Sequence, residues 1–181
     1  MKKSLLILLS LLWGFLFINE ARAISFTLDA SYSDRMLLGY PHSGFQDTGF
    51  YIQLGDMLVM SASGISCHIA DVVCFGPDGN GEPPPPDITW TFLAPTLSHG
   101  SLVGRIEGGD PFFVGVDFSQ VMNETGTLFL GFNDSRTDDN SGFFSVDINV
   151  VPEPATILLL GSGFVGIAIL IRGRSKNECA E

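Results

Sequence analysis

The sequence predicts an all-β fold, a single jelly-roll-like β-sandwich, and three observations carry the prediction. Apolar and polar residues alternate with period two in several short runs. Clusters of Gly, Asn, Asp and Pro punctuate those runs. No apolar stripe of helical period stands between Ile24 and Val150. Such alternation puts one face of each strand in a core and the other in water, the pattern of packed antiparallel sheets.

In chain order, residues 1–23 come first. Met1-Lys2-Lys3 precedes an apolar run, Leu5 to Ile18, and a small-x-small exit at Ala21-Arg22-Ala23. These are the three parts of a secretory signal peptide, with cleavage by signal peptidase expected after Ala23. The run is shorter than the roughly 20 apolar residues of a spanning helix.

The sandwich is expected over 24–150. Ile88, Trp90 and Phe92 alternate with threonines, and Phe112, Val114, Val116 and Phe118 are expected to share one face. Leu128, Leu130 and Phe132 alternate, as do Phe144, Val146, Ile148 and Val150. Two stretches interrupt the strands. Gly76–Asp87 contains four consecutive prolines and cannot join a central strand. Asn133–Ser141 reads as a polar hairpin loop between two strong strands.

The last segment begins with Val151-Pro152-Glu153-Pro154, followed by an apolar stretch over 155–171 and then Arg172, Arg174 and Lys176. A membrane helix is expected at 155–171, its basic end staying cytoplasmic by the positive-inside bias. The tail then covers 151–176, with 177–181 as a cytoplasmic end.

This combination resembles the PEP-CTERM sorting tail of Gram-negative bacteria. The resemblance implies recognition by an exosortase through Pro152, Glu153 and Pro154. It further implies a transient membrane anchor, cleavage near the motif, and delivery to the cell surface or extracellular matrix.

Charge narrows the partners. Between residues 24 and 151 the cations are Arg35, Arg105 and Arg136, against 16 carboxylates from Asp29 to Asp147. That balance is more negative than the −11 of the whole chain, and it excludes nucleic acid, whose phosphates need basic partners. Clustered oxygens instead suit a hard cation such as Ca²⁺. Cys67 and Cys74 are expected to bridge in an oxidising compartment, closing a short loop as a local staple. Cys179 lies in the tail. His42, His68 and His99 are scattered and read as loop or core residues. Without a Gly-x-Ser-x-Gly or His-Glu-x-x-His pattern, no enzyme is expected.

One loop carries chemistry. Asn133 to Gly142 gathers three carboxylates, asparagine amides and a threonine hydroxyl, the mixture of oxygens that Ca²⁺ takes. The run Gly126–Asp134, followed by Asp139-Asn140-Ser141-Gly142-Phe143-Phe144-Ser145-Val146, resembles the C-terminal half of the PA-I-type galactophilic lectins. Those are jelly-roll modules that bind sugar through a bridging Ca²⁺.

The resemblance implies Asp134 as an aspartate ligand and Asn140 as the last amide ligand. It places Asp139 where the lectins have a second asparagine, and matches Thr137 to their threonine ligand across a loop two residues shorter. A backbone carbonyl from Ser66–His68 is expected to complete the shell. The lectins' His-Pro-Asp-Gln sugar-contact stretch is replaced here by Glu82-Pro83-Pro84-Pro85-Pro86-Asp87, so galactose specificity does not carry over. The expectation is an exported, noncatalytic protein that binds extracellular polysaccharide through Ca²⁺. Its alternative is a structural matrix component with the same fold and no ligand.

Overall fold

Alternating runs need a second layer to cover their apolar faces, and the chain supplies two. The computed structural model describes residues 20–37, 40–68, 72–83, 92–152 and Gly163, with backbone alone over 35–37 and 40–43. Ala21–Pro152 forms one compact unit. Its first six strands are β1 (Arg22–Asp29), β2 (Ser33–Leu37), β3 (Tyr40–Ser43), β4 (Phe45–Ile52), β5 (Met57–His68) and β6 (Val73–Phe75). The remaining five are β7 (Leu102–Ile106), β8 (Phe112–Phe113), β9 (Asp117–Val121), β10 (Gly126–Phe132) and β11 (Ser141–Val151).

One antiparallel sheet runs β1-β11-β5-β6, with β9 also paired to β5. The other runs β4-β10-β7-β8, and β2-β3 form a separate two-stranded ribbon. The core lies between the two sheets. Leu58, Met60, Phe144, Val146, Ile148 and Val150 come from the first sheet, and Ile52, Leu102, Ile106, Leu128 and Leu130 from the second; all are almost fully buried. The expected alternation therefore holds in β10 and β11: Leu128, Leu130, Phe144, Val146, Ile148 and Val150 all point inward.

The run 112–118 departs from the expectation. Val114 is buried, whereas Val116 is 40 % exposed. Gly115 adopts φ +65° between them, a backbone that only glycine accepts freely. Val114 N–H donates to the Leu102 carbonyl in the second sheet, while the Val116 carbonyl accepts from Ala62 N–H in the first. A pattern that reads as one strand is thus split at a corner between sheets. The expected strand at 88–92 falls largely outside the described residues.

The long β5–β11 pairing fixes one end of the sandwich, and two glycines make its close approach possible. Gly142 opposes Ser66 with φ +82°, and an alanine Cβ there would overlap the Ile65 carbonyl oxygen. Gly142→Ala is therefore expected to destabilise the fold by ~1–3 kcal/mol for the left-handed backbone alone. Urea denaturation measures this, and an unchanged midpoint would show that β11 can shift at no cost.

At the other end of the unit, Ala23 is the second residue of β1, and Arg22 Nη2 donates to the Tyr51 carbonyl at 2.6 Å. A cut after Ala23 leaves Ile24–Asp29 paired with Phe143–Ile148. Pro152 follows β11 directly. Glu153, Pro154 and the segment 155–171 apart from Gly163 lie outside the described residues, among which no helix is long and apolar enough to cross a membrane.

Candidate functional site

Three segments meet where β5 ends, and the first is β5 itself. Its inward positions run Leu58, Met60, Ala62 and then turn polar at Ser66 and His68, both buried. The Cys67–Cys74 disulfide joins directly opposed residues of β5 and β6 and staples the hairpin beside His68.

The second segment, residues 92–101, crosses the outer face of the second sheet. Ala94, Leu93 and Leu97 pack on Phe45 and Val103 there, which carries the chain to His99. The His99 backbone is held on both sides: its N–H donates to the Glu82 carbonyl and its carbonyl accepts from Asn80 N–H, each at 2.9 Å.

The third segment is Asn133–Asn140. The sequence suggests a hairpin, but β10 and β11 belong to different sheets, so this stretch is a crossover between layers. Its polar residues are accordingly buried: Asn133, Asp134, Ser135 and Thr137 are all 5 % exposed or less. Asn133 is the anchor. Its Oδ1 accepts from Ala94 N–H at 2.9 Å, and its Nδ2 donates to the carbonyls of Ala94, Leu97 and Ser98 at 2.9–3.2 Å. Its backbone N–H donates to the Ser101 carbonyl, and its carbonyl accepts from Gly100 N–H. The crossover and the His99 segment are locked together through this one residue.

Asp134 and Asn140 are oriented by what they bond. Asp134 Oδ1 accepts the Ser135 N–H at 2.6 Å and faces His99 Nε2 at 3.3 Å. Asn140 Nδ2 donates to the carbonyls of Arg136 at 2.8 Å and Ala30 at 3.2 Å. Carbonyls accept only, so the amide is fixed with its oxygen turned the other way. That oxygen, Asn140 Oδ1, is buried with no hydrogen-bond partner among the described residues. Thr137 Oγ1, Ser135 Oγ, Ser66 Oγ and His68 Nε2 share its condition. Buried polar atoms are ordinarily paired, so five orphans around one end of a sandwich require an explanation. Arg136 and Asp138 satisfy one another in an ion pair at the rim of the loop.

Two of the three histidines, His68 and His99, come together, contrary to the sequence reading. His68 and His99 meet edge to face with ring centroids 4.7 Å apart, and His68 stacks on Phe75 at 5.3 Å. One ring nitrogen of each and a carboxylate oxygen of Asp134 lie within 4.8 Å of one another. Burial and the neighbouring His99 hold the His68 pKa below 6.5, against the opposing pull of Asp134 and Asp139.

Of the residues expected as ligands, Asp134, Thr137 and Asn140 fall in the same crossover, inward or half-buried, and half-buried Asp139 sits beside them. The sequence reading expects only a backbone carbonyl from Ser66–His68 and does not anticipate the side chains of Ser66, His68, His99 and Ser135. A signal existed for two of them: the period-two apolar run of β5 continues into Ser66 and His68, so their side chains had to point inward.

Comparison with known proteins agrees with this architecture. Residues 150–175 match the PEP-CTERM protein-sorting motif. The chain is similar to a solved structure described as the EclA N-terminal domain, a PllA-like lectin. Identity is 26 %, the match covers 71 % of this chain and 97 % of that one, and the TM-score is 0.51. No curated protein matches the chain. The chain thus carries a PEP-CTERM sorting motif behind an all-β unit of two antiparallel sheets with a lectin-like neighbour.

Proposed function

We propose that this chain is an exported, noncatalytic envelope or matrix protein whose sandwich binds carbohydrate through Ca²⁺. The observation that carries the reading is the pair of buried, unbonded oxygens Thr137 Oγ1 and Asn140 Oδ1, in the same crossover as Asp134 and Asp139. An oxygen left unpaired in a core costs about 1–3 kcal/mol. A hard cation that draws six to eight oxygens would recover that cost. Asp134, Thr137, Asp139 and Asn140 would hold the ion, with a carbonyl from the end of β5. A bound Ca²⁺ would offer open coordination positions to two adjacent sugar hydroxyls.

The lectin named in the structural match supports carbohydrate as the ligand class, and the sorting motif supports its delivery. Through that motif an exosortase would process the tail. A signal peptide over 1–23 and a membrane helix over 155–171 would bring the chain to the inner membrane beforehand, placing the sandwich on its outer side. Extracellular polysaccharide is the partner within reach of such a protein.

The test is a thermal melt of the full chain in detergent, with and without Ca²⁺. At a concentration 100-fold above its dissociation constant, the ion should add about 2.7 kcal/mol of stability. Asp134→Ala combined with Asn140→Ala should abolish the gain. An unchanged calcium response in that variant would sink the site assignment. An array of glycans probed with Ca²⁺ and with chelator then tests the ligand; no calcium-dependent binding would leave a structural matrix role.

A further inference from the structure

We infer that His68, His99 and Asp134 form a second kind of cation site, one that takes a zinc-class divalent ion through two imidazoles and a carboxylate. The oxygen set of the crossover does not account for these histidines. His68 is 8 % exposed, and its Nε2 is buried without a partner among the described residues. A buried imidazole nitrogen with nothing to bond is as costly as a buried hydroxyl, and a metal ion is a partner that a ring nitrogen readily takes.

Geometry points the same way. Two ligand atoms each about 2.0 Å from a tetrahedral ion stand about 3.3 Å apart, and His99 Nε2 lies 3.3 Å from Asp134 Oδ1. That pair already spans one edge of a zinc tetrahedron. The third ligand atom lies within 4.8 Å of both, so a shift of the His68 ring of less than about 2 Å closes the face.

The surroundings hold both rings in place. Phe75 stacks on His68, and Phe92 meets the His99 ring edge-on at 5.2 Å. The Cys67–Cys74 bridge fixes the strand end that presents His68, and Asn133 fixes the segment that presents His99. Ligands oriented by packing and by neighbouring hydrogen bonds characterise metal centres. Donor chemistry selects the ion: imidazole nitrogen suits Zn²⁺, Ni²⁺ and Cu²⁺ and is foreign to Ca²⁺. Three protein ligands leave a fourth position open to water or to a ligand hydroxyl.

The inference shares Asp134 with the calcium reading and is otherwise independent of it. The test is isothermal titration of the untagged full chain in detergent with Zn²⁺ alone, repeated with Co²⁺ while recording its visible absorption. One Zn²⁺ per chain is expected, with the intense Co²⁺ bands of a four-coordinate site. His99→Gln and His68→Asn should each weaken Zn²⁺ binding by at least about 10–100-fold. Variants of both residues guard against one of them misfolding. Absence of Zn²⁺ binding, or binding unmoved by both substitutions, overturns the inference. A separate Ca²⁺ titration of the same chain distinguishes the two readings: a zinc response without a calcium response retires only the latter, and the reverse retires this one.

Discussion

Replacing Asn133 by leucine is expected to destabilise the protein by about 2–5 kcal/mol, because buried polar groups that lose their partner cost about 1–3 kcal/mol each. The residue is fully buried, and leucine has the same branching and the same number of side-chain heavy atoms, so no cavity confuses the result. What disappears is the acceptor for Ala94 N–H and the donor to the carbonyls of Ala94, Leu97 and Ser98. Two of those carbonyls keep other partners: Ala94 accepts from Leu97 N–H and Ser98 from Ser101. Ala94 N–H and the Leu97 carbonyl bear most of the loss.

Asn133→Asp separates the two halves of the effect. It restores an acceptor for Ala94 N–H but aims a carboxylate at three carbonyls, so it should rescue nothing. Equilibrium unfolding in urea measures both variants. The His99 segment should also come loose, and Zn²⁺ binding should weaken with it. A leucine variant as stable as the parent would mean that packing of Leu93, Leu97 and Phe45, with the backbone bonds of His99 to Asn80 and Glu82, holds residues 93–99 without the Asn133 side chain.

Phe144→Ala is expected to cost about 3–5 kcal/mol, the usual toll of truncating a buried phenylalanine. Phe144 is 1 % exposed and is among the largest fully buried side chains among the described residues. It sits in β11 opposite Gly64 and touches the Phe132 ring, with centroids 5.9 Å apart. That contact joins the two sheets immediately below the crossover. The loss compares with a total stability of about 5–15 kcal/mol for a domain of ordinary size. Thermal melting of the variant should show a large drop in midpoint, and a second substitution, Phe144→Leu, should recover most of it by refilling the space. If alanine is tolerated, the sheets must close over the vacancy, and the crossover geometry above them should change as well.

The two variants bear on different layers of what the sequence discloses. Phe144 was legible: it begins a run, Phe144-Val146-Ile148-Val150, whose alternation alone orients it inward. Asn133 was legible only as part of a polar loop, because its role depends on residues 94–98 brought beside it by the fold. The same contrast divides the site. Asp134, Asp139 and Asn140 advertise oxygen chemistry by standing close together in the chain. His68 and His99 are 31 positions apart, and nothing local marks them as neighbours.

By itself, then, the sequence determined the two-layer β architecture of this protein, the inward residues of β10 and β11, and the linear sorting motif at 150–175. Each is written in a local periodicity or a contiguous segment, and physics reads such features one strand at a time. Tertiary structure alone decided that the 133–140 stretch crosses between sheets, and that Gly115 divides an apparent strand between those sheets. It alone decided that two distant histidines converge on Asp134. The physical reason is register. The pairing of β5 with β11 sets Ser66 opposite Gly142 and brings the β5 end to the start of β11. Only that long-range alignment puts His68 beside the crossover, buried with a nitrogen that has no partner among the described residues.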